Sequence, residues 1–160
     1  MESVDLQKLK ESGFEGFRSV KELKSKQISS IVPDAGGVYV IFRLNGAKPK
    51  FLEKGTGGYY QGKEPNVSVA ELERNWIDGA SVMYIGCTNN LSERITLLIQ
   101  FGEGKAVGHY GGRLLWQLED SDGLIVCWRA TKQKPGEVKK KMIQHFKEIH
   151  NGQMPFANLK

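Results

Sequence analysis

Residues 82–101 change period within three positions, and that change restricts the fold more than any other stretch of the chain. Val82-Met83-Tyr84-Ile85-Gly86-Cys87 is a compact apolar run, which reads as a buried strand. Thr88-Asn89-Asn90 stops it, and residues of this type suit a helix N-cap because a short side-chain oxygen accepts from the first free backbone N–H groups. Leu91, Ile95, Leu98 and Phe101 then recur on one helical face until Gly102 and Gly104 end the helix.

Two more runs have strand character. Gly36-Gly37 breaks the chain before the β-branched and aromatic Val38-Tyr39-Val40-Ile41-Phe42, and Leu124 to Ala130 is the third strand. Asn45-Gly46 is a hairpin-type turn, with Pro49-Lys50-Phe51-Leu52 expected to return as a short partner strand. Helical spacing predicts helices over residues 4–11, from Ser19 to Leu23, from Val69 to Trp76, from Arg113 to Leu118 and, after Pro135-Gly136, to about Ile149. The order of elements predicts an α/β (α+β) domain: a small central antiparallel sheet of about three strands, flanked by helices.

Size fits one domain with a real core. No uninterrupted apolar run approaches the roughly 20 residues that cross a bilayer. The start Met1-Glu2-Ser3-Val4-Asp5 is acidic and unlike a signal sequence, so a cytoplasmic protein is expected. The net charge of +5 is uneven: residues 1–80 hold 12 Lys/Arg against 11 Asp/Glu, and residues 81–160 hold 11 against 7. An anionic partner such as nucleic acid is consistent with that excess, as is simple solubility. Cys87 and Cys127 lie in apolar runs without a CxxC pair, which points to buried free thiols rather than disulfides or zinc.

Three features have plain structural explanations. Gly57-Gly58-Tyr59-Tyr60-Gln61-Gly62-Lys63 matches GxxxxGK, but Glu64-Pro65 follows where a phosphate-cradling loop needs Ser or Thr and a helix. It reads as a glycine-rich surface loop. His145 sits beside Met142 and Phe146 and reads as packing, while His150 lies at a helix C-terminus where the dipole accounts for it.

Tyr39, Tyr84 and Arg94 fall on the first strand, the second strand and the helix after it. With those strands adjacent, both phenols can share a surface over which the helix presents Arg94. Phosphodiester hydrolysis needs a proton acceptor, a cation for the charge developing on phosphorus and usually Mg²⁺. Arginine suits the second role, since its planar fork binds two phosphate oxygens and stays charged. Phenols titrate at roughly pH 10, so a tyrosine base requires a strongly cationic or metal-bearing site.

Gly37-Val38-Tyr39 and Tyr84-Ile85-Gly86-Cys87-Thr88-Asn89-Asn90-Leu91-Ser92-Glu93-Arg94, followed by His109 in Gly108-His109-Tyr110-Gly111-Gly112-Arg113 and by Pro155-Phe156-Ala157-Asn158, resemble the GIY-YIG nuclease superfamily. The resemblance covers residues 34–160 and looks like a bacterial branch with an insertion at about 46–79, leaving residues 1–33 as an N-terminal helical extension. It implies an endonuclease acting on duplex or branched DNA with Mg²⁺ or Mn²⁺. Tyr39 would be the general base or its hydrogen-bond partner, and Tyr84 would orient the attacking water. Arg94 would stabilise the phosphate, His109 would assist proton transfer or grip the substrate, and Asn158 would buttress the site.

The resemblance fails at one position. The family's metal ligand is a glutamate three residues before an apolar pair on the last helix; with Met142-Ile143 as that pair, this chain has Lys139. At about 100° per residue, Val138, Met142, Ile143, Phe146 and Ile149 form an apolar arc within which Lys139 projects, while Glu137 projects nearly opposite. Lysine removes the hard oxygen ligand that Mg²⁺ prefers, but still grips a phosphate as a point charge. Glu137 is the substitute metal ligand if Pro135-Gly136 delays the helix start. Lys139 and Arg113 are the candidate nucleic-acid contacts, and a catalytically degenerate module that binds nucleic acid without cleaving it is the alternative to the nuclease.

Overall fold

Val38-Tyr39-Val40-Ile41-Phe42 is apolar on both sides of the pleat, and the structure buries both sides. The computed structural model describes residues 2–159. Strands β1 (Glu15–Ser19), β2 (Gly37–Phe42), β3 (Val82–Thr88) and β4 (Ile125–Ala130) form one antiparallel sheet in the order β1-β4-β2-β3. All six residues of β2 are buried, as a central strand covered on both faces requires. With its helices, this is an α+β fold.

The two faces divide the helices between them. Tyr39, Ile41, Tyr84, Val126 and Trp128 project into one core, which α4 (Leu91–Gly102) covers with Leu91, Ile95, Leu98 and Ile99. The helices α2 (Val20–Lys24) and α3 (Val69–Asn75) add Val20, Leu23 and Leu72 to that core. Val38, Val40, Phe42, Ile85 and Cys127 project the other way, against Leu6 and Leu9 of α1 (Glu2–Glu11) and Val138, Met142 and Ile143 of α5 (Pro135–Ile149). Leu91 is fixed at the head of α4 by the turn before it. Asn90 Oδ1 accepts from Glu93 N at 3.1 Å, and Leu91 N donates to Ala35 O at 2.9 Å.

The sheet has four strands rather than three, because Glu15–Ser19 adds an edge. The first 33 residues therefore contribute a strand as well as helices. Gly16 (φ +94) and Phe17 (φ 54) take left-handed conformations where the register shifts, and a Cβ on Gly16 would lie inside the Trp128 ring, 2.4 Å from the nearest carbon. The expected hairpin partner at residues 49–52 does not form. Both edges of β2 are occupied by β3 and β4, so Phe51 makes only an isolated bridge to Leu118, and Leu52 N donates to Gln117 O at 2.8 Å. The short helix expected from Arg113 is a 3-10 helix spanning Tyr110–Gln117.

Three smaller expectations change as well. Cys127 is buried but Cys87 is only half-buried. His145 is exposed and faces Glu148, and Ile149 at the end of the proposed apolar arc is 61% exposed. Among the described residues no helix is long and apolar enough to cross a membrane.

Candidate functional site

Tyr39 and Gly86 are direct partners across β2 and β3, which puts Tyr84, two residues before Gly86, on the same face as Tyr39. The Tyr39 ring lies across Gly86: a Cβ there would sit 2.3 Å from Tyr39 Cζ. Glycine at the end of Tyr-Ile-Gly is therefore what lets the phenol lie flat over the neighbouring strand. Tyr39 and Tyr84 have ring centroids 6.0 Å apart.

His109 joins them from the segment that opens the 3-10 helix. Its ring lies 6.0 Å from the Tyr39 ring and 5.7 Å from the Tyr84 ring, and its Nε2 is 2.7 Å from Tyr39 Oη. His109 is fully buried, and its Nδ1 has no hydrogen-bond partner among the described residues. Either Tyr39 donates to Nε2 and leaves the Nδ1 proton unpaired, or Nε2–H donates to the phenol and leaves the Nδ1 lone pair unpaired.

Arg94 closes the cluster from α4. One guanidinium nitrogen donates to Gly108 O, the carbonyl immediately before His109, which ties the helix to the histidine segment. The charge is not sealed in, because Arg94 opens onto a cleft with Thr88, Asn89, Asn90, Glu93 and Leu97. Asn158 acts from the far edge of β3. It accepts from Ile85 N at 2.8 Å and donates to Ile85 O at 2.9 Å, while Ala157 N donates to Met83 O at 2.8 Å. The tail thus pairs the open edge of the strand that carries Tyr84, a task an asparagine side chain performs because it matches a peptide group.

Electrostatics follow from burial around one cation. Burial raises Tyr39 well above the ordinary phenol value, Tyr84 adds to that, and the Arg94 guanidinium opposes it. Burial likewise raises Tyr84, again opposed by Arg94. Burial, followed by repulsion from Arg94, lowers His109 to about 3. At neutral pH both phenols keep their protons and the imidazole is uncharged. The accessible part of the site is thus one fixed cation, Arg94, over two buried phenols, and it is complementary to an anionic oxygen.

Neither residue expected from the sequence to stand at the metal position, Glu137 or Lys139, lies at this cluster. Among the described residues, no three His, Cys, Asp or Glu side chains gather as a metal-binding group, and no carboxylate is among the groups that shift Tyr39, Tyr84 or His109. The last helix starts at Pro135 rather than later, and Glu137 is an exposed first-turn residue. Lys139 is half-buried in a groove with Gly136, Ile143, Lys147 and Met154. The helix carrying both packs on the sheet face opposite the tyrosines. Tyr39, Tyr84, Arg94 and His109 are thus brought together, with Asn158 behind them, whereas Glu137 and Lys139 are not. Arg113 lies beside the group, with its guanidinium 4.1 Å from the centroid of the Tyr110 ring.

Two contributors were not evident in the sequence. The Gly108 carbonyl that anchors Arg94 carries no side-chain signal. Tyr110 follows His109 directly, and its ring is approached by Lys63 (5.4 Å) as well as Arg113, from a loop read as mere surface. No family model matches this chain, and no curated protein or solved structure matches it either.

Proposed function

We propose that this chain is a nucleic-acid-binding domain of the GIY-YIG type, in which Arg94, backed by the buried Tyr39, Tyr84 and His109, receives a DNA phosphodiester. The carrying observation is the convergence of Arg94 with the Tyr39–His109 hydrogen bond, assembled from segments as far apart as residues 39 and 109. Arg94 is accessible through its cleft and suits two non-bridging phosphate oxygens. The raised phenols keep their protons at neutral pH, which does not suit abstraction of a proton from water. Arg113 and Lys139 add positive charge on either side of the sheet. A cytoplasmic location goes with this reading.

Hydrolysis of the bound phosphodiester is the second reading, and the Tyr39–His109 pair favours it. In a concerted relay Tyr39 Oη takes a proton from the attacking water as its own proton passes to His109 Nε2 over 2.7 Å, and an incoming phosphate offsets the Arg94 repulsion that, after burial, keeps His109 neutral. In the resemblance that hydrolysis is metal-dependent, using Mg²⁺ or Mn²⁺. Lysine at position 139, on a helix that packs against the opposite sheet face, leaves the expected ligand position away from Arg94, so binding comes before cleavage in our reading.

Incubation of plain duplex and branched DNA with the protein, with Mg²⁺, with Mn²⁺ and with EDTA, separates the two. Binding that weakens as salt rises, survives EDTA and leaves the DNA intact is expected. Cutting that requires the metal and disappears in Arg94→Ala establishes the hydrolase instead. Absence of binding even at low salt removes both.

A further inference from the structure

The Gly57–Lys63 segment fails as an ATP loop, yet the structure places it against the site. Tyr60 packs on the tyrosine-face core, and a Cβ on Gly108 would lie 3.5 Å from Tyr60 Oη. Gly108 is the residue whose carbonyl holds Arg94. Tyr110 Oη donates to Glu64 O at 2.9 Å, and Lys63 Nζ lies 5.4 Å from the Tyr110 ring centroid. The loop therefore forms a wall beside His109, one residue contact away from the guanidinium.

That wall is held in shape. Gly55 N donates to Asn66 Oδ1 at 2.8 Å, Thr56 N donates to Trp116 O at 3.2 Å, and Pro65 is buried. Gln117 clamps the flanking chain, donating from Nε2 to Leu52 O and Val67 O, both at 2.9 Å, and accepting from Val67 N at 2.9 Å. On this fixed support Tyr59 is 46% exposed, a large ring held out to solvent. Lys63 is exposed and in no ion pair among the described residues. The carboxylate of Glu64 is engaged by Asn66 N and Nδ2 at 2.9 and 2.7 Å and by the Tyr59 hydroxyl at 3.3 Å.

An exposed aromatic ring at Tyr59 on the same loop as Lys63, whose ammonium lies over the Tyr110 ring next to His109, matches a nucleotide whose base is unstacked. Bases inside a duplex are stacked on each other and offer no free face. We infer that residues 55–66 are a second nucleic-acid contact, in which the Tyr59 ring stacks on an unpaired base and Lys63 meets the adjoining phosphate, so that the substrate class is DNA with a single-stranded arm. This inference rests on the phosphate-site reading above.

The test compares a fluorescein-labelled duplex bearing a single-stranded arm with the same duplex made blunt, by anisotropy at fixed salt. Tyr59→Ala is expected to weaken binding of the armed DNA by roughly five- to hundred-fold while leaving the blunt duplex unchanged. Tyr59→Phe, which keeps the ring and loses only the 3.3 Å hydrogen bond, is expected to bind as the wild type does. Lys63→Gln is expected to flatten the salt dependence on the armed DNA. Wild-type preference for the blunt duplex, or a Tyr59→Ala variant that binds both DNAs unchanged while Arg94→Ala weakens both, overturns the inference and leaves the phosphate site standing. An armed duplex bound equally well by wild type and Arg94→Ala contradicts the phosphate site instead.

Discussion

Tyr39 Oη and His109 Nε2 lie 2.7 Å apart although 70 positions separate them in the chain, and both groups are buried. One is carried by the central strand and the other by the segment after α4, so the pair reports whether the two halves of the domain have come together. Its partner charge, Arg94, is tied to the peptide next to His109. A buried, uncharged imidazole under an arginine makes stability respond to acid.

The sign follows from the lowered His109 value. Between its ordinary value of roughly 6.5 and the folded value of about 3, the unfolded chain binds a proton that the folded chain does not. Stability contributed by this group is therefore complete above the upper value and falls as pH drops through that window. Urea unfolding at a series of pH values is expected to show this loss in the wild type. His109→Gln keeps a hydrogen-bonding partner for Tyr39 but removes the titration, so its stability falls less steeply over the same window. Equal slopes for the two proteins contradict the buried neutral histidine.

Asn158 supplies the missing half of a ladder to Ile85, donating to its carbonyl and accepting from its N–H. Asn158→Ala leaves both groups unpaired at a buried edge and is expected to cost about 2–4 kcal/mol by chemical denaturation. Asn158→Asp sets a carboxylate oxygen against the Ile85 carbonyl at a buried position, so at neutral pH it is expected to cost at least as much as Asn158→Ala. A change below about 0.5 kcal/mol in Asn158→Ala means that the edge pairing is dispensable.

Gly86 has its Cα surface covered by the Tyr39 ring. Gly86→Ala is expected to destabilise by about 1–3 kcal/mol through overpacking. The penalty should shrink in a Tyr39→Leu background, since the double-mutant cycle isolates the ring-against-glycine contact. An unchanged penalty places its origin elsewhere in β3.

Sheet, helices and tyrosine cluster were legible in the sequence where local signals agreed with tertiary demand. Val82 to Phe101 was readable because apolar period, capping residues and terminal glycines all point the same way, and the structure has β3 and α4 there. β1 was not readable: it is an edge strand with no buried residue and two left-handed ones, so it has neither alternation nor an apolar run. The false hairpin at Asn45-Gly46 had correct turn chemistry, but whether a strand finds a free edge depends on β4, which begins only at Ile125. Arg94 was visible as a residue type at a spacing, whereas its anchor at Gly108 is a carbonyl that no side chain announces. The loop at residues 55–66 carries no legible signal, because its motif fails for ATP and its placement beside His109 depends on Gln117 and Trp116 far along the chain.

The most direct test of the account is the affinity of the protein for fluorescein-labelled DNA with and without the Arg94 guanidinium. Arg94→Ala removes the one cation at the centre of the cluster, and its anchor is a backbone carbonyl near solvent rather than a buried ion pair. Anisotropy titrations at low salt are expected to show binding weakened roughly ten- to hundred-fold in Arg94→Ala, with a thermal unfolding midpoint close to that of the wild type. An Arg94→Ala protein that is folded and binds DNA with wild-type affinity contradicts the phosphodiester site.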